Sequence, residues 1–154
     1  MRLKNLLSIL LVLPFLWSCQ EDDIEDIFVG SGTWNVGNFY TGGKWERYDN
    51  DGARAIYTKN EDIKALNKMT VTFQSDGTFS GTIVNGTFSG RWEANGKDRT
   101  IRIINLKTST TPSGKGKELI EALQNAAFYK GDTNYLKIAP EDKKSYVQLG
   151  HYSE

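Results

Sequence analysis

Two kinds of hydrophobic order run along the 154-residue chain. Residues 6–16 form one unbroken apolar stretch, Leu-Leu-Ser-Ile-Leu-Leu-Val-Leu-Pro-Phe-Leu. From residue 30 onward, apolar and polar side chains alternate in short runs between turn dipeptides: Gly42-Gly43, Asp51-Gly52, Asp76-Gly77, Asn85-Gly86, Asn95-Gly96 and Gly131-Asp132. Between 76 and 96 these recur every nine or ten residues, the spacing of an antiparallel β-meander.

A one-residue slip would send every side chain of a strand to the wrong face, so register can be read from the pattern. With Asn85-Gly86 as a two-residue type I′ loop, Val84 faces Thr87, Ile83 faces Phe88, Gly81 faces Gly90 and Phe79 faces Trp92. One face then gathers Ile83, Phe88, Phe79 and Trp92; the other gathers Thr82, Ser89, Ser80 and Arg91. A three-residue loop, Ser75-Asp76-Gly77, sets Phe73 opposite Phe79 and Val71 opposite Gly81, with Gly77 supplying the left-handed conformation at least steric cost. A looser connection over 95–98 brings Ile101 opposite Trp92 and Ile103 opposite Gly90. Glycines inside strands pack nothing, so Gly81 and Gly90 predict that a helix or a large aromatic lies over them.

Residues 117–128 switch to helical periodicity, with Leu119, Ile120, Leu123, Ala127 and Phe128 on one stripe. Thr110-Thr111-Pro112-Ser113-Gly114 breaks the chain before this helix and Gly131 ends it. Strands follow at 135–139 and 146–149; at the front, 32–40 and 44–48 read as another hairpin, and 56–67 is open between loop and short helix. The predicted fold is α+β: a single domain, an antiparallel β-meander or curved sheet with one C-terminal-half helix packed on it.

Composition changes this picture only at the N-terminus. The chain balances 19 basic against 19 acidic side chains. Without Arg2 and Lys4 the remainder carries 17 basic and 19 acidic, net −2, which gives no electrostatic attraction to nucleic acid or to an anionic membrane surface. Arg2 and Lys4 followed by the apolar run form a secretion signal over residues 1–18. Eleven residues are too short for the roughly 30 Å hydrocarbon core. Leu16-Trp17-Ser18-Cys19 resembles the lipobox of bacterial lipoproteins, with an aliphatic residue at −3, a small one at −1 and then cysteine. That resemblance implies diacylglycerol on the Cys19 thiol and acylation of the new amino group. Each buried methylene contributes about 0.8 kcal/mol, and several chains make the anchoring stable. Cys19 is the single cysteine, so no intramolecular disulfide can form. Gln20 at +2 and the acidic cluster Glu21-Asp22-Asp23-Ile24-Glu25-Asp26 resemble signals that send lipoproteins to the outer membrane and its cell-surface side. Residues 19–29 read as an acidic flexible tether, because like charges repel and extend, and 30–154 as the domain.

Several stretches along residues 69–149 carry a family resemblance in their order. Val71-Thr72-Phe73-Gln74-Ser75-Asp76-Gly77-Thr78-Phe79-Ser80-Gly81, then Asn85 and Gly90-Arg91-Trp92, then the strand from 101 to 106 with Thr108, then the helix and Tyr129-Lys130-Gly131-Asp132 with Leu136-Lys137-Ile138 resemble the META domain family. Thr33-Trp34 fits the tryptophan that opens its first strand. The resemblance implies a small α+β envelope domain with no catalytic residues to carry over. Gly32-Thr33-Trp34 also suits a lipocalin-like barrel, which would hold a small apolar ligand in a cavity lined by the Phe79 and Trp92 face. The META-like alternative has that face filled by the helix.

No catalytic constellation emerges. Ser113-Gly114-Lys115-Gly116-Lys117 precedes a helix, but a phosphate-binding loop would need Gly where Ser109 stands and Ser or Thr where Gly116 stands. Asp49-Asn50-Asp51-Gly52 opens like a calcium loop yet has Ala53 where an oxygen ligand belongs, and reads as a turn. His151 is the single histidine, which leaves zinc and Cys/His nucleophile chemistry without a ligand set. Glu61-Asp62 and Glu141-Asp142 sit in polar turns. The aromatic segment holding Tyr40, Trp45 and Tyr48 is the candidate binding surface, suited to stacking on a sugar or anchoring a protein. The expectation is a non-catalytic, lipid-anchored cell-surface module of the outer membrane. It is joined to the membrane through Cys19, with a glycan or protein partner and with no metal, cofactor or nucleic acid.

Overall fold

The computed structural model describes residues 21–47 and 52–153. Nine strands are found there: β1 Thr33–Gly42, β2 Ala53–Ala55, β3 Thr70–Phe73, β4 Thr78–Ile83, β5 Gly86–Asn95, β6 Thr100–Thr108, β7 Phe128–Gly131, β8 Tyr135–Ala139 and β9 Ser145–Gly150. Helices α1 (Glu21–Ile24), α2 (Asn60–Asn67) and α3 (Gly114–Gln124) accompany them, and α1 runs on into a π-helical turn, Glu25–Gly30. All pairings are antiparallel, and β9 returns to β1, so the eight strands β1-β3-β4-β5-β6-β7-β8-β9 close on themselves. Closure removes the open edges that a curved sheet would present. The short β2 extends the β3 side of β1. The seam is narrowest between β6 and β7, where Thr100 pairs with Phe128 and two backbone bonds of 3.0 Å flank them, from Ile101 to Ala127 and from Tyr129 to Arg99.

The alternation read from the sequence decides what fills the ring. Trp34 and Val36 of β1, Val71 and Phe73 of β3, Phe79 of β4 and Leu149 of β9 are buried on the inner side. The Ser75-Asp76-Gly77 loop forms as the pattern predicts: Phe73 pairs with Phe79, Val71 with Gly81, and Gly77 has φ +83°. The β4–β5 hairpin differs. Ile83 pairs with Gly86, so Val84 and Asn85 make the turn and Phe79 faces Gly90 rather than Trp92. The reason is a close approach: a Cβ on Gly86 would lie 2.8 Å from Ser109 Oγ, and the backbone of Thr87 exchanges bonds with Ser109. Gly86 is therefore glycine for space and not for a type I′ conformation. The same two-residue offset recurs in the next hairpin, where Trp92 pairs with Ile103 and Ala94 with Ile101. An even offset keeps each side chain on its face, which is why the burial pattern survives the change of register.

Three further expectations are corrected, and one open reading is settled. The helix spans Gly114–Gln124 and not 117–128, and Phe128 opens β7. Its buried stripe is Leu119, Ile120 and Leu123. Lys44, Trp45, Glu46 and Arg47 form a turn instead of a second front strand, and β2 takes the pairing on β1. The open stretch 56–67 resolves into α2 from Asn60 onward. The acidic tether is helical from Glu21, and its apolar residues Ile27 and Phe28 leave solvent: Ile27 is 7% exposed and Phe28 is 0%. An apolar pair that close to a barrel end gains more from burial than an extended stalk gains from charge repulsion.

The ends of the ring are closed by different elements. Phe28 packs edge-on against Phe73, at the C-terminal end of β3, and against Tyr129, with Trp92 stacked at 5.1 Å. Gly116 of α3 sits against Ile83, at the far end of β4. Leu66 of α2 is also fully buried, and Lys115 on α3 pairs with Asp62 on α2 at 2.8 Å.

Candidate functional site

The α3 end of the barrel is where polar groups and apolar surface meet. Its geometry begins at a bulge in β1, between Val36 and Asn38. The bulge turns Asn38 inward, and among the described residues it is the buried polar side chain of the core. Its amide is satisfied by the backbone of Tyr57: Nδ2 donates to Tyr57 O at 2.7 Å, and Oδ1 accepts from Tyr57 N at 3.1 Å and Phe39 N at 2.9 Å. Tyr57 is thereby held with its hydroxyl donating to Glu118 Oε2 on α3. Lys115 Nζ lies 4.8 Å from the Tyr57 ring centre. One buried amide thus positions a phenol, and the phenol positions a carboxylate.

That carboxylate lies on a groove of about 660 Å³ between α3 and the ends of β1, β8 and β9. Phe39, Ile56, Ala126 and Val147 supply apolar lining; Glu118, Glu121, Glu141 and Asp142 supply charge. On the flank of the groove, Tyr40 and Tyr146 sit opposite each other in register and stack at 4.9 Å with 10° between their planes. Trp45 leans on Tyr146 at 6.0 Å, and Lys137 and Lys130 lie over the Tyr146 and Trp45 rings at 5.1 and 4.6 Å. Lys130 also donates to the carbonyls of Trp45 and Arg47, which pins the 44–47 turn onto β7. Lys143 pairs with Glu46 at 2.8 Å.

Burial keeps these phenols protonated. The Tyr57 hydroxyl is pushed up to about 12, first by desolvation and then by its bond to the Glu118 carboxylate. Tyr146 is pushed up to about 12 by desolvation and by Tyr40, which burial also raises. An acid whose folded value lies above its unfolded value of 10.0 stabilises the fold fully below about pH 10. That contribution is lost as pH rises from about 10 toward 12. Ultraviolet titration of the folded chain should therefore show tyrosines that ionise near 12, with the unfolding midpoint falling across the same interval. A folded chain whose tyrosines all ionise near 10 would contradict the arrangement.

Of the sequence-predicted site residues, Tyr40 and Trp45 are brought together through Tyr146. Tyr48, Cys19 and the Asp49-Asn50-Asp51 turn lie outside the described residues. His151 is exposed at the opposite end, stacked on Trp34 at 4.5 Å, with its ring nitrogens each 3.1 Å from a carbonyl, of Thr33 and of Thr133. The two lysines of the first turn of α3 engage carboxylates, Lys115 with Asp62 and Lys117 with Glu121. Among the described residues no group of three or more His, Cys, Asp and Glu could hold a metal, and no helix is long and apolar enough to cross a membrane. Sequence reasoning missed the Asn38–Tyr57–Glu118 chain. An asparagine amid alternating apolar residues was its one visible trace, and the bulge that turns it inward leaves no mark in the pattern.

Residues 19–151 match the model of a domain of unknown function, DUF4847. The chain belongs to the DUF4847 family. This overturns the META resemblance: the family model over residues 19–151 and the solved relative below both give DUF4847. The crystal structure of a DUF4847 family protein from Bacteroides vulgatus ATCC 8482 is similar at TM-score 0.69 and 39% identity, over 85% of this chain and 99% of that one. An NMR structure of a protein from Burkholderia xenovorans shares the fold at TM-score 0.53 and 14% identity, over 80% of this chain and 83% of that one. No curated protein matches.

Proposed function

We propose that this DUF4847 protein is a lipid-anchored binding module of the cell envelope, displayed from the outer membrane through Cys19, with the α3 end of its barrel as the recognition surface. The carrying observation is the convergence of Tyr40 and Trp45 on Tyr146 beside an open groove. Stacked aromatics with a polar rim suit a glycan or protein partner. The lipobox-like Leu16-Trp17-Ser18-Cys19 supports the anchor, as does a family match that begins at residue 19. Non-catalytic binding fits a site where Glu118 is held by Tyr57, Glu121 by Lys117 and Asp142 by the Lys144 backbone. A carrier with ligand inside the barrel is the poorer reading, because Trp34, Phe28, Phe73 and Phe79 occupy that interior.

Two measurements test the proposal. Metabolic labelling with palmitate should mark the wild-type chain and leave Cys19→Ala unlabelled and released from membranes. On a glycan array the displayed domain should bind a discrete set, lost in Trp45→Ala. Trp45 is half-buried on the surface, so that change should cost less than about 1 kcal/mol of stability. A native protein with an unmodified Cys19 thiol would sink the anchor.

A further inference from the structure

The groove beside α3 has a one-signed rim over an apolar floor. Ile56 on that floor is 47% exposed, a large apolar side chain left facing water. Among the described residues, every charged side chain lining the groove is a carboxylate. Two have other ties: Glu121 faces Lys117 at 3.8 Å in an exposed pair, and Asp142 accepts the backbone N–H of Lys144 at 3.0 Å. Glu118 is half-buried and oriented by Tyr57, which engages one carboxylate oxygen and leaves the other able to accept. The volume of about 660 Å³ falls within the roughly 300–1,000 Å³ of small-molecule sites.

We infer that the groove binds an amphiphilic organic cation, with a protonated amine against Glu118 and an apolar body over Ile56, Ala122 and Ala126. The inference rests on the reading of this end of the barrel as the recognition surface, and names its ligand chemistry. An anion of the same shape meets like charge in a partly desolvated rim, and a neutral analogue gains the floor alone.

The test uses the chain from Gln20 onward, because the family model spans residues 19–151 and the crystallised relative is matched over 99% of its own length by 85% of this chain. Calorimetry compares three molecules with one apolar body: 4-phenylbutylamine, 4-phenylbutanol and 4-phenylbutanoate. The amine binds saturably at one per chain, the alcohol about tenfold more weakly, and the carboxylate not at all. Glu118→Gln, which keeps an acceptor for Tyr57, weakens the amine about tenfold and leaves the alcohol unchanged. Ala122→Trp fills the groove and abolishes both, with an unchanged circular dichroism spectrum. Equal binding of the carboxylate, an amine affinity unmoved by Glu118→Gln, or no amine binding at millimolar concentration overturns the inference. Palmitate labelling at Cys19 and the Trp45→Ala array result are read separately, so loss of this ligand class leaves the envelope-module reading standing.

Discussion

Phe28→Ala should destabilise the domain by about 3–5 kcal/mol, the range for removing a fully buried phenylalanine. Phe28 is 0% exposed and makes ring contacts with Phe73, Trp92 and Tyr129. Aromatic pairs contribute about 0.5–1.5 kcal/mol beyond the area they bury, so three such contacts place this site at the upper part of the range. Against a total stability of about 5–15 kcal/mol, the loss approaches unfolding at physiological temperature. Urea denaturation of the chain from Gln20 measures it, with Glu25→Ala as the control. Glu25 is exposed on the same π-helical turn and should change stability by less than about 0.5 kcal/mol. A loss under about 1 kcal/mol at Phe28 would mean that the segment is a free stalk after all.

Phe28 also marks where the sequence was hard to read. Acidic residues crowd the segment just before it, and charge density argued for a solvated tether, whereas the three apolar residues Ile27, Phe28 and Val29 gave too short a signal for a packed turn. The burial that decides the matter depends on a barrel end that no local pattern announces. The same is true of closure. Alternation in 69–103 disclosed which side chains face inward, and Phe73, Phe79, Ile83, Phe88 and Trp92 are all buried. That β9 returns to β1 is a pairing of positions more than one hundred residues apart, such as Val36 with Leu149, and period-2 alternation is blind to partners. The Tyr40–Trp45 half of the candidate site was legible because aromatics clustered in sequence. Tyr146, which joins them, arrives by register across β1 and β9.

The second large effect concerns Gly81, and its cause differs from a cavity. Gly81 pairs with Phe88 and Gly90 with Phe79, so each glycine faces a phenylalanine across the β4–β5 ladder. A Cβ on Gly81 would fall far inside van der Waals contact with the Phe88 ring and with the carbonyl oxygen of Thr70. The expectation of a large aromatic over the two glycines is thereby met, each by its own ring. The ring can rotate; the Thr70 carbonyl is fixed in the ladder between β3 and β4 and can yield only if the strands separate. Gly81→Ala should therefore cost about 3 kcal/mol or more, at or beyond the usual upper end for overpacking. Gly90→Ala should cost less, because its nearest neighbour, at 2.6 Å, is Phe79 Cε1, a side chain able to shift. Ser80→Ala, exposed on the same strand, should stay within about 0.5 kcal/mol. Denaturation midpoints of the three variants give the order directly. If Gly90→Ala proves more damaging than Gly81→Ala, the rings and not the ladder carbonyl set the limit, and the β4–β5 register must differ from the one described.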